Sequence, residues 1–236
     1  MERKKNSFKK MKCKFNLNIY TSFRYRISSL QKESIEKYYP LFGLKYQKFY
    51  IDWLQVFKGF KPIVLEIGFG NGESLINSAI EHPNKNFLGI ELYLPGIGNI
   101  LKKINCLNLK NIRIIYSNAL DVLSDMIRDC ELSEIRLFFP DPWPKRKHHK
   151  RRIVQEKFLK IVHKKLDFGG ILYIITDCEN YFFKILQNVK LLDCYIDLSK
   201  SRNYIIDSFS GRVLTKFEKK GIKLGNKIFH LVFCKK

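Results

Sequence analysis

The sequence predicts an α/β fold: a doubly wound, mostly parallel sheet with helices on both faces and a C-terminal antiparallel strand pair. Three observations support this prediction. Short apolar runs alternate with amphipathic segments of helix length, a glycine-rich turn follows the first apolar run, and the alternation changes after Asp193. The chain of 236 residues is long enough to bury one sizeable core.

A basic N-terminal extension, in part disordered, is predicted at 1–34, and a single domain is predicted at 35–236. Seven of the first fourteen residues are Lys or Arg, and no unbroken apolar segment follows them. A signal peptide is therefore not predicted. The composition of this segment is better explained by a basic arm that contacts RNA or is simply disordered. The segment 46–57 has aromatic and aliphatic residues at helical spacing, which predicts a helix leading into the domain.

Past Pro62 the predicted elements alternate. Buried strands are predicted at 63–67, 87–91, 112–116, 135–139 and 171–176. Helices are predicted near 73–81, 96–105, 119–130, 153–166 and 179–190. Such an alternation implies right-handed βαβ connections and a parallel sheet. Beyond Asp193, strands are predicted at 194–198 and 227–233, with a helix at 215–220 between them.

The turn after the first predicted strand is a candidate ligand site. Glu66 is followed by Gly68, Gly70 and Gly72, and glycines at alternate positions let a ligand approach the backbone closely. The G-x-G-x-G spacing differs from the dinucleotide pattern G-x-G-x-x-G, and no phosphate-binding loop with Lys-Ser or Lys-Thr is present. Packing requirements alone also produce such turns, so this signal is not specific by itself.

Polar residues end the next two predicted strands. Glu91 lies nineteen positions after Gly72, about where an acid accepts hydrogen bonds from ribose hydroxyls. Its structural alternative is a cap for the following helix. Asn118 could donate and accept hydrogen bonds at the edge of an adenine ring, or could equally be the N-cap of the following helix. Since the carboxyl ends of parallel strands share one edge of a sheet, we expect Glu66, Glu91 and Asn118 to lie around the glycine turn.

A proline-rich loop, PDPWPK at 140–145, follows the fourth predicted strand. Phe139, Asp141 and Trp143 each precede a proline, which biases them toward extended backbone, and the prolines cannot donate amide hydrogen bonds. A stiff, extended rim is therefore predicted. Because strand four lies beside strand one at the switch point, Asp141 should face the glycine turn, unless it only stabilises the proline turn. Trp143 is a candidate platform for stacking a base, or a half-buried rim residue.

The charge of the chain points to a polyanionic partner. Its 44 Lys and Arg against 22 Asp and Glu give a formal net charge of +22, and no apolar stretch is long enough to span a membrane. The run KRKHHKRR at 145–152 directly follows the candidate rim, where its cations can contact phosphates. A merely solvated charged face is the alternative. The six cysteines lack metal-ligand spacing, so no metal is predicted, and reduced thiols in the cytoplasm are the simplest interpretation.

Several of these segments together resemble the tRNA (guanine-N(7)-)-methyltransferase family. They are LEIGFGNGESL (65–75), NFLGIE (86–91), LFFPDPWPKRKHHKRRI (137–153), Thr176-Asp177 and TKFE (215–218), with a weaker similarity at SFRYRISSLQ (22–31). The proline loop with its basic tail is specific to the family, whereas the glycine turn occurs in many methyltransferases. The tryptophan in the loop resembles the bacterial single-subunit type, which implies a monomer or weak homodimer without an obligate protein partner.

The resemblance implies the fold of class I S-adenosylmethionine-dependent methyltransferases and assigns a role to each matching position. The cofactor positions are Glu66, Gly68, Gly70, Gly72, Glu91, Asn118 and Asp141, of which Asp141 is also catalytic. The substrate positions are Lys145, Asp177, Thr215, Lys216, Phe217 and Glu218. The RNA-contacting positions are Lys147, His148, His149, Lys150, Arg151 and Arg152. Thr215-x-x-Glu218 is also a capping-box pattern, and Asp177 is placed to cap a helix near Glu179.

The activity that the resemblance implies is methyl transfer from S-adenosylmethionine to the seven-position nitrogen of a guanine in the tRNA variable loop. One alternative is a methyltransferase of the same fold that acts on another RNA or on a small molecule. A small molecule needs no phosphate contacts, so the run at 145–152 argues against it. The other alternative is an RNA-binding protein without cofactor, against which the joint presence of Glu66, Glu91 and Asp141 argues.

Overall fold

The computed structural model describes residues 26–200, 204 and 214–236, without the side chains of 216 and 217. The described residues form one eight-stranded sheet flanked by helices. Its strands are β1 (Gly43–Leu44), β2 (Ile63–Ile67), β3 (Asn86–Glu91), β4 (Ile112–Tyr116), β5 (Leu132–Phe138), β6 (Leu166–Thr176), β7 (Tyr195–Asp197) and β8 (Phe229–Lys235). The helices are α1 (Ser29–Phe42), α2 (Trp53–Phe57), α3 (Glu73–Glu81), α4 (Leu94–Cys106), α5 (Ala119–Asp125), α6 (Glu156–Lys165), α7 (Glu179–Leu192) and α8 (Lys216–Lys223), and a 3₁₀ helix covers Arg146–Arg151.

The strand order is β1-β4-β3-β2-β5-β6-β8-β7, and the pairs from β1 through β6 are parallel. The strand β2 lies between β3 and β5, which confirms that the first and fourth predicted strands are neighbours. Chain connections run in opposite directions from this point, so a crevice opens there at the carboxyl ends of the strands. The strand β8 runs antiparallel to both β6 and β7, which confirms the C-terminal antiparallel pair.

Two apolar clusters hold the layers together because side chains alternate between the faces of each strand. Within β2, Leu65 packs with α5, α6 and α7 on one face, whereas Val64 packs with α1, α3 and α4 on the other. Both side chains are fully buried. The central strands are therefore apolar on both faces, as expected for a parallel sheet covered by helices on both sides.

One prediction about the N-terminal part of the domain is wrong, and one helix there was not predicted. The helix predicted at 46–57 is confined to Trp53–Phe57, because the Asp52 carboxylate caps it only at the Gln55 amide, 3.1 Å away. Ahead of it the chain crosses the end of α5, where the Ile51 amide donates to the Met126 carbonyl at 2.8 Å. The helix α1 was not predicted, and it spans the expected boundary at residue 34.

The basic extension is only partly described. Residues 1–25, which hold the predicted arm and part of the SFRYRISSLQ segment, lie outside the described residues. The capping box of Ser28 and Gln31 begins α1, and the helix then packs against α4. None of the helices in the described part of the chain combines the length and apolar character that a membrane span requires.

Candidate active site

The glycine turn between β2 and α3 forms the floor of the crevice. Gly68, Gly70 and Gly72 have φ of 72°, 57° and 73°, in the left-handed region where side chains are strained. A Cβ added at Gly68 or Gly70 would meet no atom within 4 Å, so the backbone there faces open space. At Gly72 it would lie 2.2 Å from the Ile100 side chain, so this glycine also serves the packing of α4.

The carboxylate of Glu91, at the end of β3, holds this turn in place. Its Oε2 accepts a hydrogen bond from the Gly70 amide at 2.7 Å. Its Oε1 accepts from the amides of Leu92 and Tyr93 at 2.6 and 2.9 Å. Two carboxylate oxygens offer about four acceptor sites, so an acceptor site is left for a ligand hydroxyl. Burial raises the pKa of Glu91, three backbone hydrogen bonds lower it, and the charge of Asp141 raises it further.

The other two polar cofactor positions are buried in the same edge of the sheet. Glu66, in β2, is 2% exposed, directly below the turn. Asn118 is the N-cap of α5, and its Oδ1 accepts from the Leu120 and Asp121 amides at 2.7 and 3.4 Å. The N-cap alternative for Asn118 is therefore confirmed, and any cofactor contact would be made in addition to it.

The proline rim at 139–144 is irregular, as predicted, but it is not extended throughout. Phe139 and Trp143 have φ of 51° and 42°, so the extended backbone predicted for these two residues is wrong. Tertiary contacts override the local bias of a residue before proline. The Phe139 amide donates to the Ile175 carbonyl at 2.8 Å, and the Trp143 ring packs edge-to-face on His148 at 5.8 Å. Strained backbone of this kind persists only where surrounding contacts impose it, so these contacts determine the shape of the rim.

Asp141 lies on this rim as an exposed residue facing the crevice beside Glu91. The proximity follows from the pairing of β2 with both β3 and β5, and the charge of Asp141 acts on the Glu91 carboxyl. Neighbouring protein atoms remove part of the water around Asp141, and this desolvation raises its pKa above the ordinary value. The carboxylates of Asp141 and Glu91 are therefore close enough to interact electrostatically.

The basic run continues from the rim as a 3₁₀ helix whose first cations are exposed. Lys145, Arg146, Lys147 and Lys150 are open to solvent, and Arg151 places its guanidinium over the Trp143 ring at 4.9 Å. Partial desolvation and the cations around it lower the pKa of His148, so this ring is neutral at neutral pH. The face therefore presents a dense group of permanent positive charges beside Asp141.

Arg152 differs from the rest of the run because it is 3% exposed. Its guanidinium donates to the Pro142 carbonyl at 2.7 Å and to the Asn180 side chain at 2.9 Å, and it lies 4.7 Å from the Tyr181 ring centre. The sequence pattern assigns Arg152 to RNA contact, but a phosphate contact needs an exposed donor. The geometry instead supports a role in holding the rim in position on α7.

The predicted substrate positions lie at the neighbouring end of β6 and in α8. The Asp177 carboxylate accepts a hydrogen bond from the side-chain Nδ2 of Asn226 at 3.3 Å. The N-cap of α7 is Cys178, not Asp177. Thr215 and Glu218 form the capping box of α8, through hydrogen bonds of 3.1 and 3.2 Å. Their capping role is therefore confirmed. The side chains of Lys216 and Phe217 fall outside the described residues.

Sequence reasoning missed the residues that support the turn from the side of α1. The Gln31 side-chain Nε2 donates to Asn99 Oδ1, and Asn99 Nδ2 donates to Asn71 Oδ1 in the glycine turn, both at 3.2 Å. Gly96 lets α4 approach the turn, since a Cβ there would lie 2.0 Å from the Gly70 carbonyl oxygen. The capping-box pattern Ser28-x-x-Gln31 was the signal that could have revealed α1.

Comparisons with known proteins place these features in context. Residues 60–231 match the family described as "Putative methyltransferase". The tRNA (guanine-N(7)-)-methyltransferase of Buchnera aphidicola subsp. Acyrthosiphon pisum (strain Tuc7) is 47% identical over 88% of this chain and 87% of its own. The enzyme of the same name from Pectobacterium atrosepticum is 42% identical over 88% of this chain and 87% of its own.

Solved structures share the fold at low sequence identity. The 16S rRNA methyltransferase KamB has a TM-score of 0.52 and 11% identity, covering 80% of this chain and 94% of its own. A putative methyltransferase from Streptococcus mutans, crystallised in complex with SAH, has a TM-score of 0.50 and 12% identity, covering 77% of this chain and 93% of its own. The described residues contain no cluster of His, Cys, Asp and Glu that could hold a metal ion.

Proposed function

The chain belongs to the tRNA (guanine-N(7)-)-methyltransferase family, and we propose that it methylates the seven-position nitrogen of a guanine in the tRNA variable loop. The observation that carries the proposal is the continuity of the site. Asp141, on the rim above the glycine turn, is followed without a break by the exposed cations of the 3₁₀ helix. A base can therefore enter the crevice while its flanking phosphates contact those cations.

The residues at the crevice fit S-adenosylmethionine. The open backbone at Gly68 and Gly70 leaves room for a ligand against the turn, and the Glu91 carboxylate offers an acceptor for ribose hydroxyls. Glu66 and Asn118 flank the same edge of the sheet. The sulfonium of the cofactor is cationic, so the carboxylates of Asp141 and Glu91 favour its binding. When bound, the cofactor supplies an electrophilic methyl group.

The chemistry requires positioning more than proton transfer. The seven-position nitrogen of guanine has a lone pair and carries no proton, so attack on the methyl group needs no general base. The product ring is positively charged, and a nearby carboxylate stabilises that developing charge. Asp141 is placed to do this and to accept hydrogen bonds from the exocyclic amine and ring N–H of guanine. Asp177, held by Asn226, is the neighbouring acceptor.

The substrate roles of α8 and the 3₁₀ helix follow from their placement. Thr215 and Glu218 use their side chains in the capping box, so contacts with the substrate would come from the N-terminal turn that they fix. Lys145, Lys147, His148, His149, Lys150 and Arg151 are the group that we assign to tRNA phosphates. We further propose that the protein acts in the cytoplasm, as a monomer or weak homodimer without an obligate partner.

The proposal is tested with purified protein, labelled S-adenosylmethionine and total tRNA. We expect label to enter tRNA, and aniline treatment to cleave the product at a single guanine in the variable loop. Label that enters tRNA without aniline-sensitive cleavage would contradict the seven-position nitrogen as acceptor. Cofactor binding without any transfer to tRNA would support the alternative of a methyltransferase with another substrate.

A further inference from the structure

A groove lies beside the rim, between the end of the basic run and α7, and the proposed catalytic arrangement makes no use of it. Its volume is about 740 Å³, and its lining includes Lys150, Arg152, Phe183 and Lys184. Sites for small organic molecules span roughly 300–1,000 Å³, so the groove has room for a nucleotide. It is open at the surface, which suits a unit of a polymer better than a free small molecule.

The groove contains an exposed aromatic ring that packs on a buried one. Phe183, on α7, is 59% exposed, and polar residues of the same helix, Lys184 and Gln187, lie beside it in the lining. Its ring packs edge-to-face on Phe182 at 5.0 Å, and Phe182 is 5% exposed and anchored in the core. An exposed aromatic ring that packs on the core is a platform on which a base can stack.

The charges of the groove favour an anion. Within the described residues, neither Lys150 nor Lys184 forms an ion pair with a carboxylate. Glu156, the acid in the lining, is paired with Lys160 at 2.6 Å, which reduces its effect on the groove. A second hollow of about 680 Å³ adjoins the first at Gln155 and Glu156, and Lys157, Lys160 and Lys164 extend the basic surface along α6.

The groove is connected directly to the rim that carries Asp141. Arg152 donates to the Pro142 carbonyl on the rim and to Asn180 in the groove lining, at 2.7 and 2.9 Å. One buried side chain therefore fixes the distance between the candidate catalytic loop and the groove. A strand whose guanine lies at Asp141 would continue past Arg152 and over Phe183.

We propose that this groove binds an unpaired nucleotide of the substrate tRNA, next to the segment that is methylated. Its base stacks on Phe183, and the adjoining phosphates contact Lys150 and Lys184. This inference rests on the proposed function, because it takes tRNA as the substrate. Stacking accepts every base, so the groove adds affinity and register to tRNA binding without selecting a sequence.

The test of stacking compares Phe183→Ala with Phe60→Ala in filter binding to purified tRNA. Phe60 is 87% exposed and precedes β2, at the opposite edge of the sheet, so it is the matched control. We expect Phe183→Ala to weaken tRNA binding roughly 5- to 150-fold, as loss of one stacked base does, and Phe60→Ala to leave it unchanged. Phe183→Trp should retain affinity, whereas Phe183→Leu, which keeps apolar surface without a ring, should not.

The test of the phosphate contact compares Lys184→Ala with Lys190→Ala, since Lys190 lies on the same helix outside the groove. For Lys184→Ala, the slope of log affinity against log salt should decrease by about 0.7–0.9. Lys190→Ala should keep the wild-type slope. In steady-state methylation, Phe183→Ala should raise KM for tRNA by a larger factor than it lowers kcat.

The outcomes separate this inference from the proposed function. Wild-type protein that methylates tRNA, together with Phe183→Ala and Lys184→Ala variants that bind tRNA normally, would overturn the groove and leave the function standing. Such a result would indicate another occupant, such as an acidic protein segment. Failure of the wild type to methylate tRNA would contradict the function itself. The binding series would then still report whether RNA occupies the groove.

Discussion

The Glu91 carboxylate combines two tasks, because it holds the glycine turn and offers an acceptor for the cofactor ribose. We expect Glu91→Ala to weaken S-adenosylmethionine binding by about 10- to 100-fold, equivalent to losing a hydrogen bond to a charged group of about 1.5–3 kcal/mol. Affinity for tRNA should change much less, since the contact is local. Calorimetry on the variant measures this, with Glu81→Ala, at the far end of α3, as the control.

The same residue predicts a pH dependence. The pKa of Glu91 is raised above its ordinary value, first by burial and further by Asp141. As the pH falls toward this raised pKa, the carboxylate becomes protonated and loses its acceptor for a ribose hydroxyl. Cofactor affinity should therefore begin to fall at a higher pH than an ordinary glutamate would cause. A cofactor titration into the acidic range, in which the affinity falls no earlier than protonation of an ordinary glutamate would cause, would contradict the ribose contact.

Asp141 contributes through charge at a position that the rim fixes. Asp141→Asn keeps the size of the side chain, and the loop is held on either side of it by the Phe139–Ile175 hydrogen bond and the Trp143–His148 ring contact. We expect an unchanged fold, a modest loss of cofactor affinity because one carboxylate near the sulfonium is neutralised, and a kcat lowered by about 10²-fold or more, as when one stabilising group is removed from a transition state. Near wild-type turnover at saturating tRNA and cofactor would show that the carboxylate is not required.

Arg152 should behave as a structural residue within a run that otherwise serves binding. Replacing it with Ala leaves the Pro142 carbonyl and Asn180 without its hydrogen bonds, which should lower the free energy of unfolding by about 1–3 kcal/mol. Lys150→Ala, at an exposed position, should change stability by less than about 0.5 kcal/mol. Urea denaturation of both variants measures this difference. Equal free energies of unfolding would show that Arg152 has no structural role and belongs functionally with the exposed cations.

Single residues were predictable from the sequence where the sheet topology alone determines their place. The proximity of Glu91 and Asp141 follows from strand order, because Glu91 ends β3 and Asp141 lies on the loop that follows β5, and these two strands flank β2. The orientation of Arg152 was not predictable, because a run of like charges does not indicate which member turns inward. The positive φ of Phe139 and Trp143 also depends on partners, Ile175 and His148, that lie far away or on the next turn.

At the level of elements, the central strands were predicted more successfully than the N-terminal edge of the domain, where neither α1 nor the short strand β1 was predicted. Runs such as 63–67 are buried on both faces, so their apolar character alone identifies them. The segment 46–57 has helical periodicity, but its apolar side chains pack against the end of α5 and its backbone bonds Met126, which overrides the local pattern. The helix α1 is rich in polar residues and contains Pro40, so periodicity did not reveal it.

The 3₁₀ helix predicts a measurable salt dependence. Replacing Lys147, Lys150 and Arg151 with Ala removes exposed cations without touching Arg152. If each of them meets a phosphate, the slope of log tRNA affinity against log salt should decrease by about two to three units. The loss should be similar for cognate and non-cognate tRNA, because phosphate contacts carry no sequence information. An unchanged slope would show a merely solvated face and move the RNA-binding surface elsewhere.

For the whole molecule, the formal net charge of +22 sets how tRNA approaches the crevice. The exposed cations of the 3₁₀ helix, the groove at Phe183 and the lysines along α6 adjoin one another, so a basic surface extends from the rim along α6. A continuous basic surface raises the local concentration of a polyanion and its rate of association, and salt screens this effect. The remaining charge includes the seven Lys and Arg of residues 1–14, which are the first candidates for a second contact.

Removing residues 1–14 tests whether the charge of that segment acts on tRNA or only on solubility. The truncation removes seven basic residues and Glu2, so it lowers the formal net charge by six from +22. If the segment contacts RNA, the salt slope should decrease by several units, at about 0.7–0.9 per phosphate, and the association rate should fall at low salt. Cofactor affinity should not change, since the glycine turn is formed by other residues.

The full chain and the truncated chain are compared by stopped-flow binding across a salt series. If the slopes and rates coincide while the variant at Lys147, Lys150 and Arg151 shows a reduced slope, the arm does not contact tRNA. Affinity then comes from the folded domain, because charge that is not held near the bound phosphates releases no counterions there.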